Sequence, residues 1–218
     1  FLDKTRNISQ VHWGGGTPNS LPAEMIEEIM AVVKEDFSFT EKPEIAMECH
    51  PALLDGSYIE KLAQAGFNRI SLGIQDFSQE VLRAVNRDEP VIPVEELVAM
   101  IRSKGSIGVN FDFIYGLPYQ DEGSFAATLE RAVKIAPDRI VTFSYAHVPW
   151  IKKAQKILER KGLPAAAEKL GMFLTGYRVM TEAGYTPIGL DHFAKPDDEL
   201  SIALKNRKLH RNFQGYCT

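Results

Sequence analysis

Short apolar runs rich in β-branched residues alternate with stretches of helical periodicity along the whole chain. The apolar runs predict strands at 8–13, 44–49, 69–74, 109–115, 140–146 and 185–190. The stretches between them predict amphipathic helices near 21–33, 57–65, 79–85, 93–102, 123–135 and 164–183. Regular alternation of strand and helix is typical of an α/β fold with a parallel sheet, either open or closed into a barrel.

Length and composition narrow the class of protein. The 218 residues, of which 44% are hydrophobic, predict one domain with a substantial core. The formal net charge of -4 argues against a nucleic-acid partner. No apolar run approaches the roughly 18 residues of a membrane span, so no membrane role is expected. Two cysteines and the lack of a signal-peptide pattern predict a cytoplasmic protein.

Polar and turn-forming residues follow the predicted strands where each one ends. In parallel α/β barrels the active site lies at this edge, where the loops after the strands converge. We therefore expect the functional residues in the strand-end sequences GGGTPN, ECHP, QDF, DFIYGLP, SYAHVP and LDHFAKP.

The first two strand ends combine a glycine turn with an acid. Consecutive glycines before Thr17 let the backbone approach a ligand, although a plain tight turn explains them equally well. The turn lacks the lysine of a phosphate-binding Walker loop and the third glycine of a dinucleotide fingerprint. Glu48 ends the second strand, where it is either a rim residue or a ligand for hydroxyl or amine groups.

The next strand ends carry further polar candidates. Gln75 and Asp76 end the third strand, and Asp112 lies inside an apolar run, where it needs a donor from a ligand or from an arginine. The alternative for Asp112 is a structural salt bridge, with Arg87 as a candidate partner. Arg87 itself either forks onto a ligand carboxylate or is a solvated helix end.

Histidines and a basic run complete the candidates. His147 and His192 lack partners at metal-ligand spacing, so we predict no metal site. The run KNRKLHR at 205–211 is either a solvated face or a surface that attracts a polyanionic substrate. No residue is assigned a catalytic role from these patterns.

Taken in order, these motifs resemble the radical S-adenosylmethionine (SAM) core of the oxygen-independent coproporphyrinogen III oxidases. The motifs GGGTP, GIQDF and IYGLP are also shared with a sister group of haem-binding, chaperone-like proteins. DHFAKP and HRNFQGY are more typical of the oxidases than of that group. The resemblance runs through QVHWGGGTP, IAMECHP, RISLGIQDF, AVNR, NFDFIYGLP, FSYAHVP, GLDHFAKPDDEL and HRNFQGY.

The resemblance implies a set of SAM-binding residues. Gly15, Gly16 and Thr17 would line the methionine end of SAM, and Glu48 would bind the ribose hydroxyls. A second SAM beside the first is implied for Gln214. The remaining implied pocket consists of the polar residues Gln75, Arg87 and Asp112 and the apolar adenine walls Ile114, Phe143 and Ala146.

The chemistry implied by the resemblance is oxidative decarboxylation of two propionates of coproporphyrinogen III to vinyl groups, which gives protoporphyrinogen IX. A 4Fe-4S cluster would cleave SAM reductively to a 5'-deoxyadenosyl radical. The implied partners are the tetrapyrrole substrate, an electron donor and an electron acceptor. The protein's own task is to position and shield the reacting groups.

One departure from the family pattern is severe. The cluster-binding CxxxCxxC motif is absent, and Cys49 and Cys217 cannot replace it. We therefore expect residues 1–218 to be an inactive fragment of a radical SAM core, a partial (β/α)6, TIM-like barrel. The fragment would begin at the second strand, without the cluster loop, and would end before the family's C-terminal domain.

Two other functions stay open at this point. The first is a haem-carrying relative that keeps the SAM fold but oxidises no propionate. The second is an unrelated α/β barrel, such as an isomerase or aldolase, whose glycine turn holds a phosphate. No lysine or phosphate-binding pattern favours the second alternative.

Overall fold

The computed structural model describes residues 6–212 and 215–218. The strands are β1 (Ile8–Trp13), β2 (Phe39–Cys49), β3 (Arg69–Gln75), β4 (Gly108–Tyr115), β5 (Arg139–Ser144), β6 (Thr186–Gly189), β7 (His192–Ala194), β8 (His210–Arg211) and β9 (Tyr216–Cys217). The α-helices are α1 (Ala23–Asp36), α2 (Gly56–Ala65), α3 (Gln79–Ala84), α4 (Val94–Ser103), α5 (Glu122–Ile135), α6 (Lys156–Glu159), α7 (Ala166–Glu182) and α8 (Glu199–Lys205).

The chain forms two compact units. The first comprises the described residues up to Gly73 together with Pro90–Asn110, and the second comprises Ile74–Glu89 and the described residues from Phe111 onward. Strands β3 and β4 begin in the first unit and end in the second.

In the first unit the sheet has the order β1-β2-β3-β4. Strand β1 runs parallel to β2, and β2 runs parallel to β3. Side chains that are fully or almost fully buried fill the strands, among them Met47, Ile70 and Leu72. Helix α2 is capped at its C-terminus by Gly66, whose φ of 91° is a left-handed conformation that suits glycine.

In the second unit the sheet has the order β3-β4-β5-β7-β6. Four buried phenylalanines, Phe111, Phe113, Phe125 and Phe193, occupy its core. Helices α5 and α7 pack closely. A Cβ added at Gly176 of α7 would lie only 3.1 Å from the Leu129 side chain of α5. Within the described residues, no helix combines the length and apolar composition that a membrane span requires.

The six predicted strands and six predicted helices are all present, with ends shifted by a few residues. The sequence missed β7, which lies between β5 and β6 and runs antiparallel to both. Strand β7 has three residues and follows a two-residue turn at Leu190 and Asp191, too short for an alternating pattern to be recognised. The last part of the sheet therefore ends in a β6–β7 hairpin that places β7 between β5 and β6.

A buried acid organises the second unit. The Asp76 carboxylate is 2% exposed and accepts hydrogen bonds from Thr128 Oγ1 at 2.9 Å, Ser78 N at 2.7 Å and Gln120 Nε2 at 2.6 Å. Gln120 Nε2 also donates to the Ile114 carbonyl at 2.9 Å. Because a buried carboxylate needs such donors, Asp76 fixes the ends of β3 and β4 against α5.

Replacing Asp76 tests this network. In Asp76→Asn one acceptor oxygen becomes an NH2 group that faces donors, and the unmet hydrogen bonds should lower the free energy of unfolding by about 1–3 kcal/mol. Urea denaturation measures the change, with the exposed Asp197→Asn as the matched control, expected within about 0.5 kcal/mol of the unsubstituted protein. Equal stability of the two variants would contradict the structural role of Asp76.

Candidate functional site

The glycine turn of the first unit follows β1 and faces open space. A Cβ at Gly15 or Gly16 would meet no atom within 4 Å, and Gly15 has a φ of 109°. At Gly14, in contrast, a Cβ would lie 2.8 Å from Glu48 Oε1 and 2.9 Å from His12 Nε2. A side chain at position 14 would therefore displace the ends of the Glu48 and His12 side chains, and position 15 favours glycine for its backbone conformation.

A buried amide fastens this turn to the end of β2. The side chain of Asn19, 3% exposed, donates to the His50 carbonyl at 3.0 Å and accepts from the His50 N–H at 2.8 Å. His50 Nδ1 in turn accepts from Ala52 N at 3.1 Å. The two strand-end loops of the first unit are thus joined by paired hydrogen bonds.

Glu48 lies next to the glycine turn and is held there by a histidine. Its Oε1 is 3.0 Å from His12 Nε2, and 44% of its side chain is exposed. The hydrogen bond from His12 lowers the pKa of Glu48, against the opposing effect of burial, and the Gly15 N–H adds to the lowering. The carboxylate is therefore ionised at neutral pH, and its exposed part can accept hydrogen bonds from hydroxyl groups.

In the second unit, Gln75 and Ile114 line one cavity of about 570 Å³. Gln75 has a φ of 67°, a left-handed conformation that turns the chain at the end of β3. The cavity walls are mostly apolar, with Val85, Ile114 and Leu158 among them, and Lys161 also lines it. The volume is in the range of small-molecule sites.

Arg87 and Asp112 are both partly buried in the second unit. Desolvation lowers the pKa of Arg87, while the charge of Asp88 opposes this effect. Both Arg87 and Asp112 take part in further polar or electrostatic interactions. Such half-buried charges are suited to binding an oppositely charged or hydroxyl group, and they equally suit a structural role.

The remaining predicted residues follow β5 or lie near the C-terminus. Phe143 is 43% exposed, and its ring makes an edge contact with His192, with centroids 6.2 Å apart. Ala146 is exposed, and its carbonyl accepts from Gln155 Nε2 at 3.0 Å. Gln214 lies outside the described residues.

Sequence reasoning missed two groups that shape these regions. The partner role of His12 was not predicted, because the half-buried residues of β1 give no sign of which side chain faces the end of β2. Asn19 was also missed, because only its burial reveals it. Asp76, considered together with Gln75, belongs to the core network instead of a ligand surface.

The residues of this chain fit the two implied cofactors unequally. An open glycine turn beside an ionised carboxylate fits the amino-acid and ribose portions of SAM. The described residues do not provide a set of ligands for an iron–sulfur cluster. Burial raises the pKa of the Cys49 thiol, and the part of the chain that the structure describes contains no group of three His, Cys, Asp or Glu residues able to hold a metal.

Comparison with known proteins places the chain in a family. The radical SAM superfamily matches residues 2–132, more than half of the sequence. The chain therefore belongs to the radical SAM superfamily. It is similar to the oxygen-independent coproporphyrinogen III oxidases of Synechocystis sp. (46% identical over 100% of this chain and 47% of that protein) and of Escherichia coli K12 (43% over 98% and 47%).

A solved structure shows the same fold. The radical SAM enzyme coproporphyrinogen III oxidase from Escherichia coli matches with a TM-score of 0.92 and 43% identity, over 98% of this chain and 49% of that one. This match confirms the fold class and the family resemblance that the sequence predicted. The chain spans about half the length of the relatives it matches.

The His12–Glu48 contact predicts a change in titration. In His12→Ala the hydrogen bond that is the strongest cause of the lowered pKa is lost, so the pKa of Glu48 should rise toward its usual value. In the unsubstituted protein this contact contributes stability above the ordinary pKa of the carboxyl group, and that contribution is lost as pH falls through the lowered pKa. Carbon NMR titration of labelled glutamate measures both proteins, with the exposed Glu41 as internal reference; an unchanged Glu48 pKa would refute the pairing.

Proposed function

We propose that residues 1–218 form the radical SAM core of an oxygen-independent coproporphyrinogen III oxidase. The observation that carries the proposal is 46% identity, along the entire chain, to an enzyme with that activity. In the proposed reaction each propionate loses carbon dioxide, one hydrogen atom and one electron, and becomes a vinyl group. Two such conversions turn coproporphyrinogen III into protoporphyrinogen IX.

The proposed roles in the first unit concern the amino-acid and ribose portions of SAM. When bound, SAM supplies the 5'-deoxyadenosyl group that removes the hydrogen atom. Gly15, Gly16 and Thr17 present backbone groups to the methionine end, which the open space over the glycines supports. Glu48 accepts hydrogen bonds from the ribose hydroxyls, which its lowered pKa supports.

The proposed roles in the second unit concern the polar groups and the adenine of SAM. Arg87 pairs with the SAM carboxylate, and Gln75 and Asp112 provide further polar contacts. Ile114 forms an apolar wall near the adenine. The cavity that Gln75 and Ile114 line supports the proposed roles of these two residues. Phe143 and Ala146 form apolar walls near the adenine, and Gln214 contacts a second SAM.

Several partners of the proposed enzyme lie beyond the residues of this chain. The sequence contains two cysteines and no CxxxCxxC motif, so we propose the 4Fe-4S cluster only for a parent enzyme with that motif. An electron donor, an electron acceptor and a cytoplasmic location complete the proposal.

The test of the proposed function uses the full-length parent enzyme with its cluster reconstituted under anaerobic conditions. We expect 5'-deoxyadenosine together with a vinyl-bearing, decarboxylated porphyrinogen, measured by liquid chromatography and mass spectrometry. Deoxyadenosine without decarboxylation would remove the substrate assignment. Stoichiometric haem binding without either product would favour a haem-carrying relative instead.

A substitution tests the proposed partner of the SAM carboxylate. Arg87→Ala in the parent enzyme removes a charge-assisted hydrogen bond of about 1.5–3 kcal/mol, so SAM should bind at least about tenfold more weakly. Equilibrium dialysis with labelled SAM measures the dissociation constant. The matched control is Arg178→Ala, an exposed arginine paired with Glu182 on α7, whose SAM affinity should be unchanged. Unchanged affinity in Arg87→Ala would remove Arg87 from the site.

A further inference from the structure

A carboxylate–histidine pair lies at the hairpin that the sequence did not predict. His192 Nδ1 is 2.8 Å from Asp191 Oδ1, and the two side chains are 22% and 27% exposed. Asp191 belongs to the turn between β6 and β7, and His192 is the first residue of β7. Because His192 pairs with Val141 in antiparallel register, the dyad lies toward the carboxyl end of β5.

The pair fixes the proton arrangement on the imidazole ring. Burial opposes ionisation of Asp191, but the hydrogen bond and charge of His192, with a contribution from Arg211, leave its pKa lowered. An ionised carboxylate only accepts, so Nδ1 carries the proton that it donates. Among the contacts of the described residues, Nε2 makes no hydrogen bond, and this second ring nitrogen is the one left for a ligand.

Two aromatic rings hold the imidazole in place. Tyr216 and Phe143 make edge contacts with the His192 ring, at centroid distances of 5.0 and 6.2 Å. The Tyr216 side chain packs directly on the backbone of Gly189, where an added Cβ would lie 2.3 Å from Tyr216 Oη. The ring of His192 is therefore oriented by its Asp191 bond and by packing on two sides.

The end of the basic run reaches this cluster. The guanidinium carbon of Arg211 lies 5.6 Å from the centroid of the Tyr216 ring, which in turn contacts His192. The sequence left open whether the run at 205–211 is only a solvated face or attracts a polyanion. The position of Arg211 favours the second function for this end of the run, because it adds a positive charge beside the dyad.

We propose that His192, oriented by Asp191 and assisted by Arg211, binds a propionate carboxylate of the tetrapyrrole substrate. The proposal rests on the proposed function, which supplies a substrate with carboxylate side chains. In the imidazolium form, Nε2–H donates to a carboxylate oxygen while Nδ1–H stays on Asp191. The positive charges of His192 and Arg211 then balance the negative charges of Asp191 and the propionate. No covalent step is involved.

The test measures binding of coproporphyrin III and of its tetramethyl ester to the reconstituted parent enzyme, by fluorescence titration. In His192→Gln the charge is lost, so we expect binding of the free acid to weaken at least about tenfold. Binding of the ester, which has no carboxylates, should be the same in variant and unsubstituted enzyme. Asp191→Asn should give the same pattern, and His147→Gln, a histidine paired with Glu159, is the matched control with no expected change.

The outcomes distinguish a carboxylate of the substrate from the carboxylate of SAM. They also distinguish failure of this inference from failure of the proposed function. Equal loss for acid and ester, or no loss, would overturn the role of His192. A parallel fall in SAM affinity would also overturn it, by assigning the dyad to the carboxylate of SAM. If the unsubstituted enzyme forms vinyl products and His192→Gln has an unchanged KM for coproporphyrinogen III, only this inference fails. If the unsubstituted enzyme forms no vinyl product, the proposed function fails first.

Discussion

The need to satisfy one buried carboxylate constrains much of the second unit. Taking the Asp76 charge out of water is costly unless donors surround it, and the chain delivers three, from the turn after β3, the loop after β4 and helix α5. Gln120 links the network onward to the Ile114 carbonyl. Gln75, directly before Asp76, has a left-handed φ of 67° and lines the cavity of the second unit. The hydrogen-bond network of Asp76 therefore lies beside the cavity residues Gln75 and Ile114.

In the first unit a buried amide, Asn19, holds two strand-end loops together, as the buried acid Asp76 does in the second unit. Asn19 satisfies both a donor and an acceptor of the His50 backbone, so the glycine turn and the end of β2 keep a fixed separation. Glu48, two residues before His50, is thereby held near the turn. A neutral buried side chain positions this carboxylate without adding a second charge to the same region.

Periodicity predicted the main strands and helices because each of them has a buried face long enough to show a pattern. It failed for β7, where three residues carry no period, and for the pairing of His12 with Glu48. Those two residues are 36 positions apart, and their contact exists only once β1 and β2 lie side by side. Strand-end position predicted Glu48 and Gln75 as candidates, and the family resemblance implied Ile114, but burial alone separated Asp76 from Gln75. Side-chain partners of this kind depend on strand register, which the local sequence does not contain.

The β6–β7 hairpin has a consequence for how the sequence of such a fold can diverge. Because β7 is antiparallel to β5, the first residue of β7 lies toward the carboxyl end of β5. The two-residue turn that carries Asp191 can change in length or composition while β5 and its neighbours keep their register. Side chains carried on the hairpin can therefore change while the buried core of the second unit is kept, as is usual for surface loops on a rigid scaffold.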